Sequence, residues 1–289
     1  MKKTAKKITA LFIVCIIFTI SVCHTSAKSY LTLEGFQFLV NDDGVSATVY
    51  GFDNHTTDVV VPSKLGSYNI TAIGNYAFYE NTSISVLSFI KAIHLEKIGY
   101  QSFYGCTGIK YLYIPECIKE LSYGSFANCE NLAELKIDNG ISVLPDYCFN
   151  RCYSLSNVSI PDSVTSIGSY TFGNCTSLKS ITIPKATTSI ASNAFRNCPN
   201  LTLYVYKDSY AHQFAVEKSI NFEVIPEYEI GDIDMNGIVN ISDATLIQYY
   251  AVSIKELSDY QLSLADVNGD GVVNVLDATE IQRILVGLV

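Results

Sequence analysis

Two stretches near the C-terminus hold oxygen-bearing side chains at spacings that suit a metal. Asp232, Asp234, Asn236, Asn240 and Asp243 occupy positions 1, 3, 5, 9 and 12 of a twelve-residue loop, with Gly237 at position 6. Thirty-four residues on, Asp266, Asn268, Asp270, Asn274 and Asp277 repeat the pattern around Gly271. Such spacing wraps hard oxygen donors around Ca²⁺, and the backbone carbonyl of position 7 (Ile238, Val272) contributes one more. Glycine at position 6 permits the sharp turn. Two loops in register make a chance match very unlikely, so the expectation is two Ca²⁺ ions. From Glu229 onward there are ten acidic residues and two basic ones, Lys255 and Arg283. Without metal, those clustered carboxylates repel and a small module loosens.

Other chemistry is scarce. Beyond residue 27 the histidines are His55, His94 and His212, each isolated from any Ser or Cys at a catalytic spacing. No Gly-rich phosphate loop, metalloprotease helix or nucleophile elbow occurs. Paired carboxylates for glycoside hydrolysis need only meet in space, so that alternative stays open.

The elements that would position a binding surface lie in the middle of the chain. Phe103, Phe126, Phe149, Phe172 and Phe195 recur every 23 residues, and Phe78 begins the series. Three residues after each of the five stands Cys106, Cys129, Cys152, Cys175 or Cys198, and three further on Ile109, Leu132, Leu155, Leu178 or Leu201. Five residues before each Phe stands Ile73, Ile98, Leu121, Leu144, Ile167 or Ile190. This period predicts a leucine-rich solenoid, in which no coil buries its apolar residues until a neighbour stacks on it. The ladder cysteines read as small buried thiols rather than disulfides, because parallel Cβ vectors on adjacent rungs do not favour a bridge. Cys117 and Cys148 fall off the ladder without assignment.

The repeat pattern, over about Ile70 to Val224, resembles the BspA-type leucine-rich repeat of bacterial surface and secreted proteins. The resemblance implies an N-terminal β cap, for which the alternating stretch Phe36 to Pro62 with a turn at Asp43-Gly44 qualifies. Ser209 to Val224 reads as a short helix and closing strand over the last coil. On each stacked strand the residues between buried positions point outward. Tyr111, Tyr113, Glu134 and Lys136 head that face, and its expected ligand is an unidentified protein or polysaccharide.

Each calcium loop is followed by a helical stretch, and position 12 is Asp. That arrangement, spanning Glu227 to Val289, resembles the type I dockerin of cellulosomes. The resemblance implies Ca²⁺-dependent binding to a scaffoldin cohesin module. By the same resemblance the cohesin face comprises Ile241, Ser242, Gln248 and Tyr249 in the first half, and Val275, Leu276, Gln282 and Arg283 in the second. Ordinary packing within the module is the competing role for Ile241 and Val275.

The N-terminus reads as an export signal. Lys2, Lys3, Lys6 and Lys7 precede the apolar run Ala10 to Ile20, and Thr25-Ser26-Ala27 offers a cleavage site. The remainder then holds 15 basic and 28 acidic residues. That balance excludes the basic footprint of a nucleic-acid binder, and no further stretch is apolar enough to span a membrane. The expected organisation is a signal peptide over 1–27, a β cap over 28–69, and repeats in about six coils over 70–206. A closing cap and linker over 207–226 and a dockerin over 227–289 complete it. The fold class is a mostly β solenoid followed by a small all-α calcium-binding module. The function expected is non-catalytic docking of a secreted, cellulosome-associated protein, with a polysaccharide hydrolase as the alternative.

Overall fold

The computed structural model describes residues 29–52, 57–226 and 228–288. The expected signal peptide and His55 lie outside the described residues.

The repeats wind into a stack of parallel rungs with two rows of strands. One ladder runs through the short strands Lys97–Ile98, Glu120–Leu121, Val143–Leu144, Ser166–Ile167 and Ser189–Ile190, which carry the buried Ile or Leu that precedes each Phe. The other runs through Tyr111–Ile114, Glu134–Ile137, Asn157–Ser159, Ser180–Thr182 and Thr202–Tyr206. Here inward residues such as Leu112, Leu135 and Val158 alternate with exposed ones, as the two-residue period of a strand dictates. Where strands pair, the register is kept, with Glu134 opposite Tyr111 on one side and Asn157 on the other; strand pairing breaks between Asn157–Ser159 and Ser180–Thr182 and between Glu120–Leu121 and Val143–Leu144.

Between the ladders, turns carry the Phe column. The rings of Phe78, Phe103, Phe126, Phe149, Phe172 and Phe195 stack nearly parallel, with centroids 4.8 to 5.8 Å apart. The last Phe turn has only Asn197 in the left-handed region, while the other five each hold two left-handed residues four positions apart, such as Tyr147 (φ 58°) and Arg151 (φ 60°). These are bulky for that region of backbone space, and the stack on either side compensates. Backbone bonds cross between turns as well: Phe126 N–H donates to Cys148 O at 3.0 Å, and Phe149 N–H to Thr171 O at 2.9 Å.

The thiols have a defined task. Each ladder cysteine donates its Sγ–H to the carbonyl of the Phe one coil back, from Cys106 to Phe78 O at 3.1 Å through Cys198 to Phe172 O at 3.1 Å. All seven described cysteines are free. Cys148 belongs to the column of small residues just before the Phe, with Ser125 below it (3.3 Å between Oγ and Sγ) and Thr171 above. Cys117 sits half-buried and reaches Ala92 O at 3.5 Å.

Parallel stacking starts before the repeats do. Ser46–Phe52 pairs in parallel with Tyr68–Ile73, and Asp58–Val60 with Val86–Ser88, although neither Ser46–Phe52 nor Asp58–Val60 shows the 23-residue pattern. The solenoid therefore has about eight turns over 46–225, two more than the repeats announce. Phe36–Val40 folds back antiparallel on Ser46–Phe52 and covers the first turn with Phe36 and Phe38. At the far end, helix α1 (Tyr210–Lys218) buries Ala211, Phe214 and Ala215, and Asn221–Ile225 adds a last parallel strand. Ser209 caps α1 by accepting from His212 N–H, which gives His212 a structural place.

Three helices follow: α2 (Ile241–Ala251), α3 (Asp259–Ala265) and α4 (Val275–Leu285). α3, which precedes the second loop, has no counterpart in the sequence expectation. Its Ser258 N-cap and Gln261 form a capping box. α2 and α4 pack together around Ile233, Ala244, Ile247, Leu257, Ala265, Ala278 and Ile281. No helix among the described residues is long and apolar enough to cross a membrane.

Candidate functional site

Both C-terminal loops are built by their own carboxylates. In the first, Asp232 accepts the N–H groups of Asn236 (3.1 Å) and Gly237 (2.8 Å). Asp243 accepts Asp234 N–H and Asn240 N–H, both at 2.9 Å, and closes a capping box with Asn240 at the start of α2. The second loop repeats this contact for contact. Asp266 accepts Asp270 N–H (3.1 Å) and Gly271 N–H (3.0 Å), while Asp277 accepts Asn268 N–H (3.2 Å) and Asn274 N–H (2.9 Å). Gly237 and Gly271 hold φ of 86° and 83°, the left-handed conformation that the sixth position requires.

Asp232 and Asp243 are buried, and their oxygens and one of the exposed Asp234 all lie within 4.8 Å of one another. Three carboxylates at that separation repel unless a cation joins them. Asn236 and Asn240 stand in the same loop, with Asn240 Nδ2 resting on Ile238 O at 2.9 Å. The donor set is all oxygen and strongly anionic, which suits a hard divalent cation such as calcium. In the second loop the carboxylates occupy positions 1, 5 and 12, where the first has 1, 3 and 12. The Asp232, Asp234, Asp243 group is accordingly the one tight acidic triad among the described residues.

The eight residues expected on the partner-binding face, Ile241, Ser242, Gln248, Tyr249, Val275, Leu276, Gln282 and Arg283, are all solvent-exposed. Ile241 and Val275 are 56% and 52% exposed, which removes the competing role of internal packing. They lie at matched places on α2 and α4.

On the solenoid, Tyr111, Glu134 and Lys136 project outward from adjacent rungs. Tyr113 is half-buried, and its hydroxyl donates to Asp138. That bond, with burial and the Asp138 charge adding to it, pushes the Tyr113 hydroxyl up to about 12. Lys136 lies over the Tyr113 ring at 5.4 Å and 3.6 Å from Asp138. The depression between Tyr111, Glu134, Lys136, Asn157 and Ser159 holds only ≈ 260 Å³, so this face suits a surface ligand better than an enclosed small molecule. The five fully buried thiols make poor nucleophiles: burial pushes Cys106 and Cys148 up to about 12 and Cys129, Cys152 and Cys175 well upward.

Comparison with known proteins agrees with this geometry. A model of the BspA type leucine rich repeat region matches six copies over residues 66–202, and a model of the dockerin type I domain matches residues 230–286. Both are non-catalytic binding modules, and no catalytic domain is matched. Similar solved structures include a leucine rich cell surface protein from Faecalibacterium prausnitzii A2-165, 26% identical, with TM-score 0.44 over 62% of this chain and 55% of that one. A leucine rich repeat protein of T. pallidum is 19% identical, with TM-score 0.45 over 68% and 83%. One from Eubacterium ventriosum ATCC 27560 is 18% identical, with TM-score 0.41 over 55% and 49%. The chain thus spans about half the length of the first and third of these. No curated protein matches it.

Proposed function

The chain joins BspA-type leucine-rich repeats to a type I dockerin domain, and on that premise we propose that it is a secreted, non-catalytic component of a cellulosome-type assembly. Asp232, Asp234, Asn236, Asn240, Asp243 and the Ile238 carbonyl hold one Ca²⁺. Asp266, Asn268, Asp270, Asn274, Asp277 and the Val272 carbonyl hold a second. Bound ions would neutralise the carboxylates; the capping boxes of Asn240 with Asp243 and Asn274 with Asp277 open α2 and α4, from which Ile241, Ser242, Gln248, Tyr249, Val275, Leu276, Gln282 and Arg283 meet a scaffoldin cohesin. The repeats then carry a protein or polysaccharide ligand. The observation that carries this reading is the contact-for-contact repetition of two carboxylate-built loops, each opening a helix with an exposed, partly apolar flank.

A hydrolase on the strand face gains nothing from the geometry. Asp138 is engaged by Tyr113 and Lys136, which leaves it poorly placed as half of an acid–base pair.

Capture from the culture of the producing organism tests the reading. Full-length mature protein should retain a scaffold protein with calcium, release it with chelator, and lose it in the Asp232→Ala, Asp266→Ala double variant. Absence of any scaffold in the calcium arm refutes docking.

A further inference from the structure

The turns that carry the Phe column expose a second aromatic row. The rings of Tyr100, Tyr123, Tyr147 and Tyr170 stack along the solenoid axis with centroids 5.2, 5.1 and 5.0 Å apart. Tyr76 meets Tyr100 edge-on at 5.3 Å and ends the row. Beside it runs a hydrogen-bonded row. Tyr79 stacks on Tyr104 at 4.9 Å, and Asn128 Nδ2 donates to the Tyr104 hydroxyl at 2.8 Å. Asn174 then donates to Asn150 (3.0 Å) and Asn197 to Asn174 (2.8 Å).

Since each ring covers the face of the next, what meets solvent is ring edges and phenolic hydroxyls. No protein partner is recorded for the hydroxyls of Tyr100, Tyr123, Tyr147 and Tyr170 among the described residues, and none of them is buried unsatisfied. Covering such a row with an apolar surface would strand four donors, whereas a ligand rich in hydroxyls pairs with them. The charged residues of these turns nearly balance, Glu80, Glu130 and Asp146 against Arg151 and Arg196, within a chain of net charge −9. A neutral ligand fits that balance better than an anionic or a cationic one. The row also has a fixed repeat of about 5 Å, the spacing of stacked strands. Extended β-linked pyranose chains advance by about the same distance per sugar, while α-linked glucans coil away from a straight row.

We propose that this turn face binds a neutral, extended β-linked polysaccharide laid along the solenoid axis, in step with the coils. The proposal rests on the reading of the repeats as a binding surface, moves that surface from the strand face to the turns, and is independent of calcium docking.

Affinity electrophoresis of full-length mature protein tests it, in gels containing soluble mixed-linkage β-glucan, soluble starch or no polysaccharide. Each is run with calcium and with chelator. The variant Tyr100→Phe, Tyr123→Phe, Tyr147→Phe, Tyr170→Phe removes only hydroxyls and keeps the stacked rings, and its fold is checked by circular dichroism. Should the quadruple variant fail that check, Tyr100→Phe and Tyr170→Phe replace it singly. The expected result is retardation by β-glucan and not starch, with or without calcium, and at least tenfold weaker binding in the quadruple variant. A strand-face variant, Tyr111→Phe with Lys136→Ala, should be retarded more strongly than the quadruple variant. Absence of β-glucan retardation, undiminished retardation of the Phe variants, or loss confined to the strand-face variant overturns the proposal. Failure to capture a scaffold protein leaves this result untouched, so the two readings fail separately.

Discussion

Phe149→Ala probes the solenoid where its logic is most exposed. Phe149 is fully buried, and its ring lies near-parallel between Phe126 at 5.8 Å and Phe172 at 5.6 Å. Alanine leaves a ring-sized void whose floor and roof are rings held in turn by their own neighbours, so the site cannot collapse. Phe→Ala substitutions in cores cost about 3–5 kcal/mol. Loss of two aromatic contacts, each adding about 0.5–1.5 kcal/mol beyond area, puts this one at the upper end, near 5. Phe195→Ala is the internal control. Its ring is 7% exposed, with one stacked neighbour and an edge-on contact to Phe214 at 6.4 Å. That favours the lower end of the range, about 3 kcal/mol. Urea unfolding of the full chain in calcium, followed by far-ultraviolet circular dichroism, reads both values. At about 2–4 °C per kcal/mol for a unit of this size, Phe149→Ala should also lower the melting temperature by about 10–20 °C. Interrupting a one-dimensional stack should further broaden the transition or split it. A cost below about 2 kcal/mol, or equal costs for the two variants, would refute the stacking account.

Gly108 has no room for a side chain, since an added Cβ would fall 2.3 Å from Ile84 O; Gly108→Ala should destabilise the first coils by more than about 1 kcal/mol, read as a lower urea midpoint. The raised thiols give a pH dependence. An unfolded chain loses its thiol protons near the ordinary thiol value of 9.0, while Cys106 and Cys148 hold theirs to about 12. Their stabilising contribution is fully present below pH 9 and fades as pH rises toward 12, so the urea midpoint should fall between pH 8.5 and pH 10.5; a flat profile contradicts thiol burial. In native protein Cys117, half-buried, should be alkylated before any ladder thiol, as peptide mapping by mass spectrometry would record. Asp243→Asn leaves one of two backbone donors, Asp234 N–H or Asn240 N–H, facing an amide NH₂ rather than an oxygen, and takes one charge from the triad; calcium affinity should fall at least tenfold by calorimetry.

The columns of Phe, Cys and Leu were legible because they keep a strict 23-residue period, and the paired loops because metal ligation fixes residue type at each position. The tyrosine row was not. Tyr76, Tyr100, Tyr123, Tyr147 and Tyr170 are spaced 24, 23, 24 and 23 residues apart, because Tyr76, Tyr147 and Tyr170 enter the row from a left-handed position two residues before their Phe and Tyr100 and Tyr123 from three residues before theirs. A fixed-period reading therefore scatters one physical row over two columns. The early rungs Ser46–Phe52 and Asp58–Val60 escaped for a related reason: a strand needs only inward apolar residues such as Ala47, Val49 and Val59 to stack, without the Phe turn that marks a repeat. The role of the ladder thiols was hidden as well. Burial followed from their phase, but the bond from each Sγ to the Phe carbonyl one coil back depends on the turn geometry, which composition does not express. Helix α3 is seven residues long and opens on a capping box without a distinct apolar period, so little marked it in advance.

The most direct test of the calcium-built docking module is to count ions. Calcium is titrated calorimetrically into the metal-stripped protein, with helix content followed in parallel. Two ions per chain, with a gain in helical signal as they bind, is the result this account predicts. Binding of one ion or none, or two without any change in helix, would contradict it.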